Sequence, residues 1–399
     1  MEYDKLSWNW FSLFIKKIIN MKIHYISPSI FPSKSANSIH VINQCDGLCK
    51  NGFEVILYGL SSKIFIKQSE IKDFYGIKNK LIKLKYFYPL IPFAENIQIT
   101  ILFILNIYSI KNSDLIISRN LYASFLLSNI FRLRSIYETH QVERGLRGIL
   151  QKRTLNSPLI KTIVISNILK KILISKYKLS IKNCIVLHDA APEDINPIIA
   201  EKRKTFISDL LKINFQKYEF TCGYFGQLNN GRGIEIIISL AKLLPKYCFL
   251  VFGGEEKEVE ELRNNNDLSN LKYMGYYKNH KSRKIMSCLD ALLMPYQQNV
   301  YVGKRGLDTS KWMSPMKMFE YLASGVPILS SNLTVLKEIL IDDFNCLLIN
   351  PKDVKEWKNK LILLHNNPEL GSRLSTNAFL QYKNKHTWRK RAEEIINLK

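Results

Sequence analysis

A chain of 399 residues is too long for one ordinary core and calls for two domains of about 180 residues each. With 46% apolar and 23% charged residues it is not a disordered chain, and seven cysteines, an odd number set mostly in apolar runs, exclude a disulfide framework. The formal net charge of +24 calls for an anionic partner, yet the basic residues are scattered rather than interleaved with aromatics, so no nucleic-acid partner is expected.

Residues 1–20 mix Trp8, Trp10, Phe11 and Phe14 with Lys16 and Lys17. They read either as an interfacial helix or as a disordered extension ahead of Met21, and they lack the cleavage site of a signal peptide. From Met21 short β-rich runs alternate with helical segments. Strands are expected at 22–27, 54–58, 114–118, 135–138, 162–166 and 184–187, then at 220–225, 248–252, 270–274, 291–294, 327–330 and 346–349. This alternation predicts parallel sheets covered by helices on both faces, hence an α/β architecture of two doubly wound, Rossmann-like domains facing across a cleft. The Pro-containing, charged stretch from His188 to Lys217 suits a linker. The expected domains are therefore 21–195 and 196–382, with a last helix at 383–399 packing back on the N-terminal domain. The longest apolar run, Ile99 to Ile110, holds Thr100, Asn106 and Ser109 and is too short to cross a membrane. Cys45 and Cys49 stand four apart with no further His or Cys cluster, so they are expected to pack in a core, and no metal site is expected.

The most informative stretch is SPMKMFEYLASGVPILSS, residues 314–331. Ser314 reads as an N-cap, Pro315 as the first helical residue, and Gly325 with Pro327 as a stop, which bounds a helix of about ten residues. Backbone N–H groups at its start, with the Ser314 hydroxyl and the Lys317 ammonium, would hold a diphosphate without metal. Positions 317, 320, 321 and 324 share one face, with Met316, Phe319, Leu322 and Ala323 on the buried one. Glu320 then lies one turn beyond the anion site, where a carboxylate can accept from both hydroxyls of a ribose. The residues alone equally allow an ordinary amphipathic helix with a Lys317–Glu320 pair.

The longer run TSKWMSPMKMFEYLASGVPI, residues 309–328, resembles the nucleotide-sugar segment of retaining glycosyltransferases of family 4 (group 1), in the subgroup with a Ser-Pro-x-Lys-x-Phe-Glu motif. The likeness continues through GYFGQLNNGRGIEIIISLAKLLP at 223–245, the Val251-Phe-Gly-Gly and Met274-Gly-Tyr turns, LDALLMPY at 289–296 and the opening KIHYISPSIFPSKSANSIHVINQCDGLCKNGFEVILYG at 22–59. It covers nearly the whole chain from Met21 and implies the GT-B fold. It further implies that Glu320 binds the donor ribose, that Arg232 and Lys317 meet the phosphates, and that Gly226 and Gly233 let backbone approach the ligand. Gly253, Tyr276, Ser314 and Pro315 fall on the same donor side. His140, in YETHQVER, maps to a His beside the reacting sugar, where an imidazole can bond a hydroxyl. Asn37, Ser38 and Arg119 are expected on the acceptor side, while Asp189 reads as a turn residue.

Two positions depart from the family pattern. Trp312 stands where many members carry a second carboxylate, and Gln227 where another Arg often follows the glycine. The loop Asn299–Lys311, with Gly303 and Gly306, is expected to supply replacement contacts. The resemblance implies transfer with retention from a UDP- or GDP-linked sugar, with no cofactor and no metal. Its expected acceptor is a glycan or lipid-linked molecule in bacterial cell-surface polysaccharide synthesis, and its expected setting the cytoplasmic face of an anionic membrane surface. The alternatives are a nucleotide-sugar 2-epimerase of the same architecture and a non-catalytic subunit.

Overall fold

The computed structural model describes residues 21–179, 184–193, 200–302 and 307–398. The stretch 1–20 and the loop glycines Gly303 and Gly306 lie outside them. Two compact units divide the chain: one holds the residues up to His188 and the segment from Trp388 onward, the other Asp189–Thr387. The divisions thus fall at 188/189 and 387/388 instead of 195/196 and 382/383, because hydrogen bonds bind both flanks into the second unit. The Asp189 N–H donates to Ser314 Oγ at 3.1 Å, the backbone at Ala191 bridges to Thr387, and the Tyr382 hydroxyl donates to the Pro192 carbonyl at 2.6 Å.

The first unit is built on a parallel sheet of order β3-β2-β1-β4-β5-β6-β7. Its strands are β1 (Lys22–Phe31), β2 (Glu54–Ser61), β3 (Ile82–Phe87), β4 (Leu115–Ser118), β5 (Ser135–Thr139), β6 (Ile160–Val164) and β7 (Cys184–Val186). The central β1 is buried almost throughout, as expected of a parallel strand covered on both faces, and Tyr25 pairs with Leu57 on one side and Ile117 on the other. Sequence patterning misses β3, whose Lys83 and Lys85 alternate with apolar residues at the sheet edge. The helix Ala36–Lys50 starts at Ser35, whose hydroxyl accepts from the Ser38 N–H. The C-terminal helix Trp388–Ile396 lies so close to it at Gly47 that a Cβ there would run into the Trp388 carbonyl.

The second unit repeats the plan with order β10-β9-β8-β11-β14-β15. Here β8 is Phe220–Phe225, β9 Tyr247–Phe252, β10 Leu271–Gly275, β11 Ala291–Met294, β14 Ile328–Ser331 and β15 Leu347–Ile349. A short antiparallel pair, β12 (Tyr301–Val302) and β13 (Leu307–Asp308), stands beside this sheet. The core gathers Tyr224, Phe249, Leu293 and Trp357 with the apolar face of the helix Ile234–Leu243. In each unit the strand order reverses next to the first strand, at β1/β4 and at β8/β11, and open α/β sheets bind ligands beyond the carboxyl ends of strands at such a switch point. No helix of the described residues is long and apolar enough to cross a membrane.

Candidate functional site

In the second unit the chain leaves β8 at Gly226, whose φ of +152° suits glycine. Its N–H donates to the Phe252 carbonyl at 2.9 Å, and a Cβ built on it would stand 2.6 Å from the Lys317 Nζ. Gly226 is therefore what lets the ammonium sit at the end of β8. Gly233 (φ +79°) opens the helix Ile234–Leu243, but its bare side faces the Pro295 carbonyl, and that of Gly253 faces the Gly226 carbonyl. Against expectation, the close approach at Gly233 is to protein backbone, because the loops after β8, β9 and β11 are stacked on one another.

Lys317 and Arg232 converge on two tyrosines. The Lys317 Nζ lies 3.9 Å from the Tyr224 ring centre and 4.7 Å from that of Tyr296, and the Arg232 guanidinium carbon lies 5.2 Å from the Tyr296 ring. Ring faces attract cations, which holds both side chains in place. Arg232 donates to the Tyr296 hydroxyl at 3.1 Å and reaches the Gln227 Oε1 at 3.4 Å, so the residue standing where another Arg was expected orients this one. Yet the buried Lys317 Nζ and the Arg232 Nε have no hydrogen-bond partner among the described residues. Burial, then the neighbouring Arg232, pushes the Lys317 pKa well below the ordinary lysine range, against a raising influence from Glu320. Two desolvated basic groups with donors to spare are chemically suited to an oxyanion.

The helix beside them is Met316–Ala323, shorter than expected. Ser314 does not cap it: Pro315 takes the N-cap position without a side-chain bond, and the Ser314 hydroxyl is spent on the Asp189 N–H. Tyr321 is also displaced from its expected role, being fully buried with its hydroxyl between the Phe225 N–H (2.9 Å) and the Leu293 carbonyl (3.3 Å). Met318, not Met316, completes the buried face. These shifts share a cause: the helix is docked through Tyr321 onto β8 and β11, which turns Lys317 inward over Gly226. Glu320 lies 3.7 Å from Arg283, a partner that sequence patterning does not single out. Tyr276 is half-buried just past β10, where burial raises its pKa.

The first unit brings Arg119 and His140 together beyond the ends of β4 and β5. Around the Glu138 Oε1 stand His40 Nε2, His140 Nε2 and Arg391 Nη2, each at 2.9 Å, while the Tyr25 hydroxyl donates to Oε2 at 3.1 Å. Burial opposes the Glu138 charge, but Arg391 and then His40 overcome it and hold the carboxyl well below its usual range. Burial and then Arg119 lower His140 to about 4, so the imidazole is neutral at physiological pH. Its Nε2–H faces Glu138 and its Nδ1 accepts from Arg119 at 3.1 Å, so both ring nitrogens are engaged by protein. The expected bond from His140 to a sugar hydroxyl is therefore replaced: the imidazole holds Arg119, whose buried Nη1 has no partner among the described residues. Ser38 is likewise removed from the acceptor side, being buried with its hydroxyl facing the Ser33 and Ser35 carbonyls at 2.9 Å. Asn37 is exposed and donates to Ser29 Oγ at 2.8 Å. Sequence patterning misses Glu138, His40 and Arg391; only the carboxylate two residues ahead of His140 leaves a trace in the primary structure.

Residues 209–381 match the model of the family described as glycosyl transferases group 1. A chitobiosyldiphosphodolichol beta-mannosyltransferase of Candida glabrata is 23% identical over 257 residues, 58% of this chain and 54% of that protein. The chain spans about half the length of the curated relatives it matches. Among solved structures, a sucrose-phosphate synthase from Thermosynechococcus elongatus superposes with a TM-score of 0.71 at 15% identity, covering 95% of this chain and 98% of that one. Anabaena HepE in complex with UDP and glucose superposes with a TM-score of 0.69 at 13% identity, covering 95% and 99%. The fold is thus GT-B, and over residues 209–381 the chain carries the sequence pattern of the group 1 glycosyl transferases.

Proposed function

We propose that this protein is a retaining glycosyltransferase that moves a hexose-type sugar from a UDP- or GDP-linked donor to a glycan or lipid-linked acceptor in bacterial cell-surface polysaccharide synthesis. One observation carries the reading: the buried Lys317 Nζ beside Arg232, with hydrogen-bond donors unspent at the carboxyl ends of β8 and β11. A diphosphate satisfies those donors. As the bond from the anomeric carbon to the diphosphate breaks, negative charge grows on the leaving oxygens, and two fixed cations in a desolvated site stabilise it without needing a divalent metal. Glu320, near Arg283, is assigned to the ribose, and Arg119, held by His140, to the acceptor. The UDP bound in the structural relative HepE supports the choice of ligand class.

Lys317→Ala and Arg232→Ala should each lower turnover by about 10²–10³-fold with the fold retained, the usual cost of removing a donor aimed at developing charge. Turnover with a panel of nucleotide sugars and melting temperatures with and without UDP or GDP measure this. Near-normal activity in both variants defeats the assignment.

A further inference from the structure

The first unit carries an apolar face that the described residues leave exposed. Beyond β3 the chain exposes Leu90 and Phe93, 82% and 87% accessible. The helix Glu95–Leu105 then buries Ile99 and Phe103 on one side and turns Ile97, Ile101, Ile104 and Leu105 to solvent on the other. Past the helix end at Asn106, Tyr108 on the short helix Ile107–Lys111 is also 83% exposed. Ile64 and Phe65, after β2, join this face from the side: Leu60 pairs with Phe87, and the Tyr86 hydroxyl donates to the Ile66 carbonyl at 2.7 Å. A helix apolar on both faces does not belong at a water-exposed surface unless something covers it.

The charge of this stretch of sequence points to the cover. From Ser61 to Asn112 there are eight lysines (63, 67, 72, 78, 80, 83, 85, 111) against three acidic residues (70, 73, 95) and no arginine. Lys85 reaches the helix end itself, its Nζ 2.8 Å from the Asn106 Oδ1. Apolar side chains flanked by lysines fit a bilayer whose headgroups are anionic, where the side chains enter the acyl boundary and the ammoniums meet phosphates. We infer that the outer face of the 90–108 segment, with the 61–67 loop, is a docking surface for anionic phospholipid membrane.

The test is co-sedimentation of the full chain with vesicles of equal parts phosphatidylcholine and phosphatidylglycerol, beside vesicles of phosphatidylcholine alone. The chain should bind the anionic vesicles, less so as salt rises. The double variant Ile97→Asp, Ile101→Asp should lose about tenfold or more in affinity at an unchanged melting temperature, since both side chains are exposed. Failure to bind anionic vesicles at low salt overturns the inference, as does unchanged binding by the double variant. So does a dimer in light scattering that the double variant dissolves while neither form binds vesicles, which makes the face a contact between copies. None of these readouts involves a nucleotide sugar, so the surface stands or falls apart from the proposed reaction.

Discussion

Lys317 is the residue on which stability and the proposed function pull in opposite directions. In the unliganded protein its burial lowers the pKa well below the usual value, so over the range between that lowered value and the unfolded one near 10.4 the unfolded chain binds more protons. Stability therefore rises with pH across that range and is lost as pH falls through it. An anion at the Lys317 Nζ raises the pKa again, so binding UDP or GDP should take up a proton and strengthen as pH falls, measurable by titration calorimetry in buffers of different ionisation enthalpy. Lys317→Met should abolish that proton uptake and nucleotide binding while stabilising the unliganded fold by about 1 kcal/mol or more, because an apolar chain replaces a buried amine without a hydrogen-bond partner among the described residues. A variant that is destabilised and still binds would contradict this account. That Lys317 and Arg232 belong together was legible because each stands in a short motif where chemistry and local spacing coincide. Tyr224 and Tyr296 lie in the same motifs, yet nothing in a tyrosine's neighbours along the chain tells that its ring will face a cation. Glu138, His40 and Arg391 were unreadable for a different reason: three segments far apart in sequence meet only in the folded first unit.

Among elements, the helix Trp388–Ile396 matters most to the first unit. Arg391 spans from it to Glu138 at the end of β5, and also donates to Gln44 on the helix Ala36–Lys50 and to the His188 carbonyl at 2.8 Å. Glu138→Gln leaves the Arg391 charge buried against a neutral amide and should cost about 3–5 kcal/mol at neutral pH. Because the Glu138 pKa is depressed in the fold, its contribution is complete above the unfolded value near 4.3 and is lost as pH falls through the folded one. The difference between wild type and variant should therefore shrink on acidification, and pairing Glu138→Gln with Arg391→Met should recover part of the loss; denaturant unfolding at several pH values checks both. The strands of the two sheets follow plain β-rich runs closely, with Phe220–Phe225 and Ala291–Met294 matching to the residue. Strand β3 escapes because its lysines mask the apolar half of the alternation, the same lysines that discourage pairing at an open sheet edge. The start of the helix Met316–Ala323 was misplaced because Ser-Pro is a good local cap, and a tertiary bond to Asp189 outcompeted that preference.

For the whole molecule, two units with separate cores imply two unfolding events. Lys317, Arg232 and Glu320 all belong to Asp189–Thr387, so UDP or GDP should raise the melting temperature of that unit alone, by RT ln(1 + [L]/Kd), and calorimetry with increasing nucleotide should move one transition past the other. Equal movement of both would mean that the nucleotide contacts extend beyond the second unit. The return of Trp388 onward to the first unit also fixes an order of events during synthesis. The second unit has all its strands once Thr387 has been made, whereas the earlier-made first unit waits, its Glu138 buried without Arg391 and its Ala36–Lys50 helix bare along Gly47. The half of the chain that is translated first cannot complete its packing until the last helix has been made.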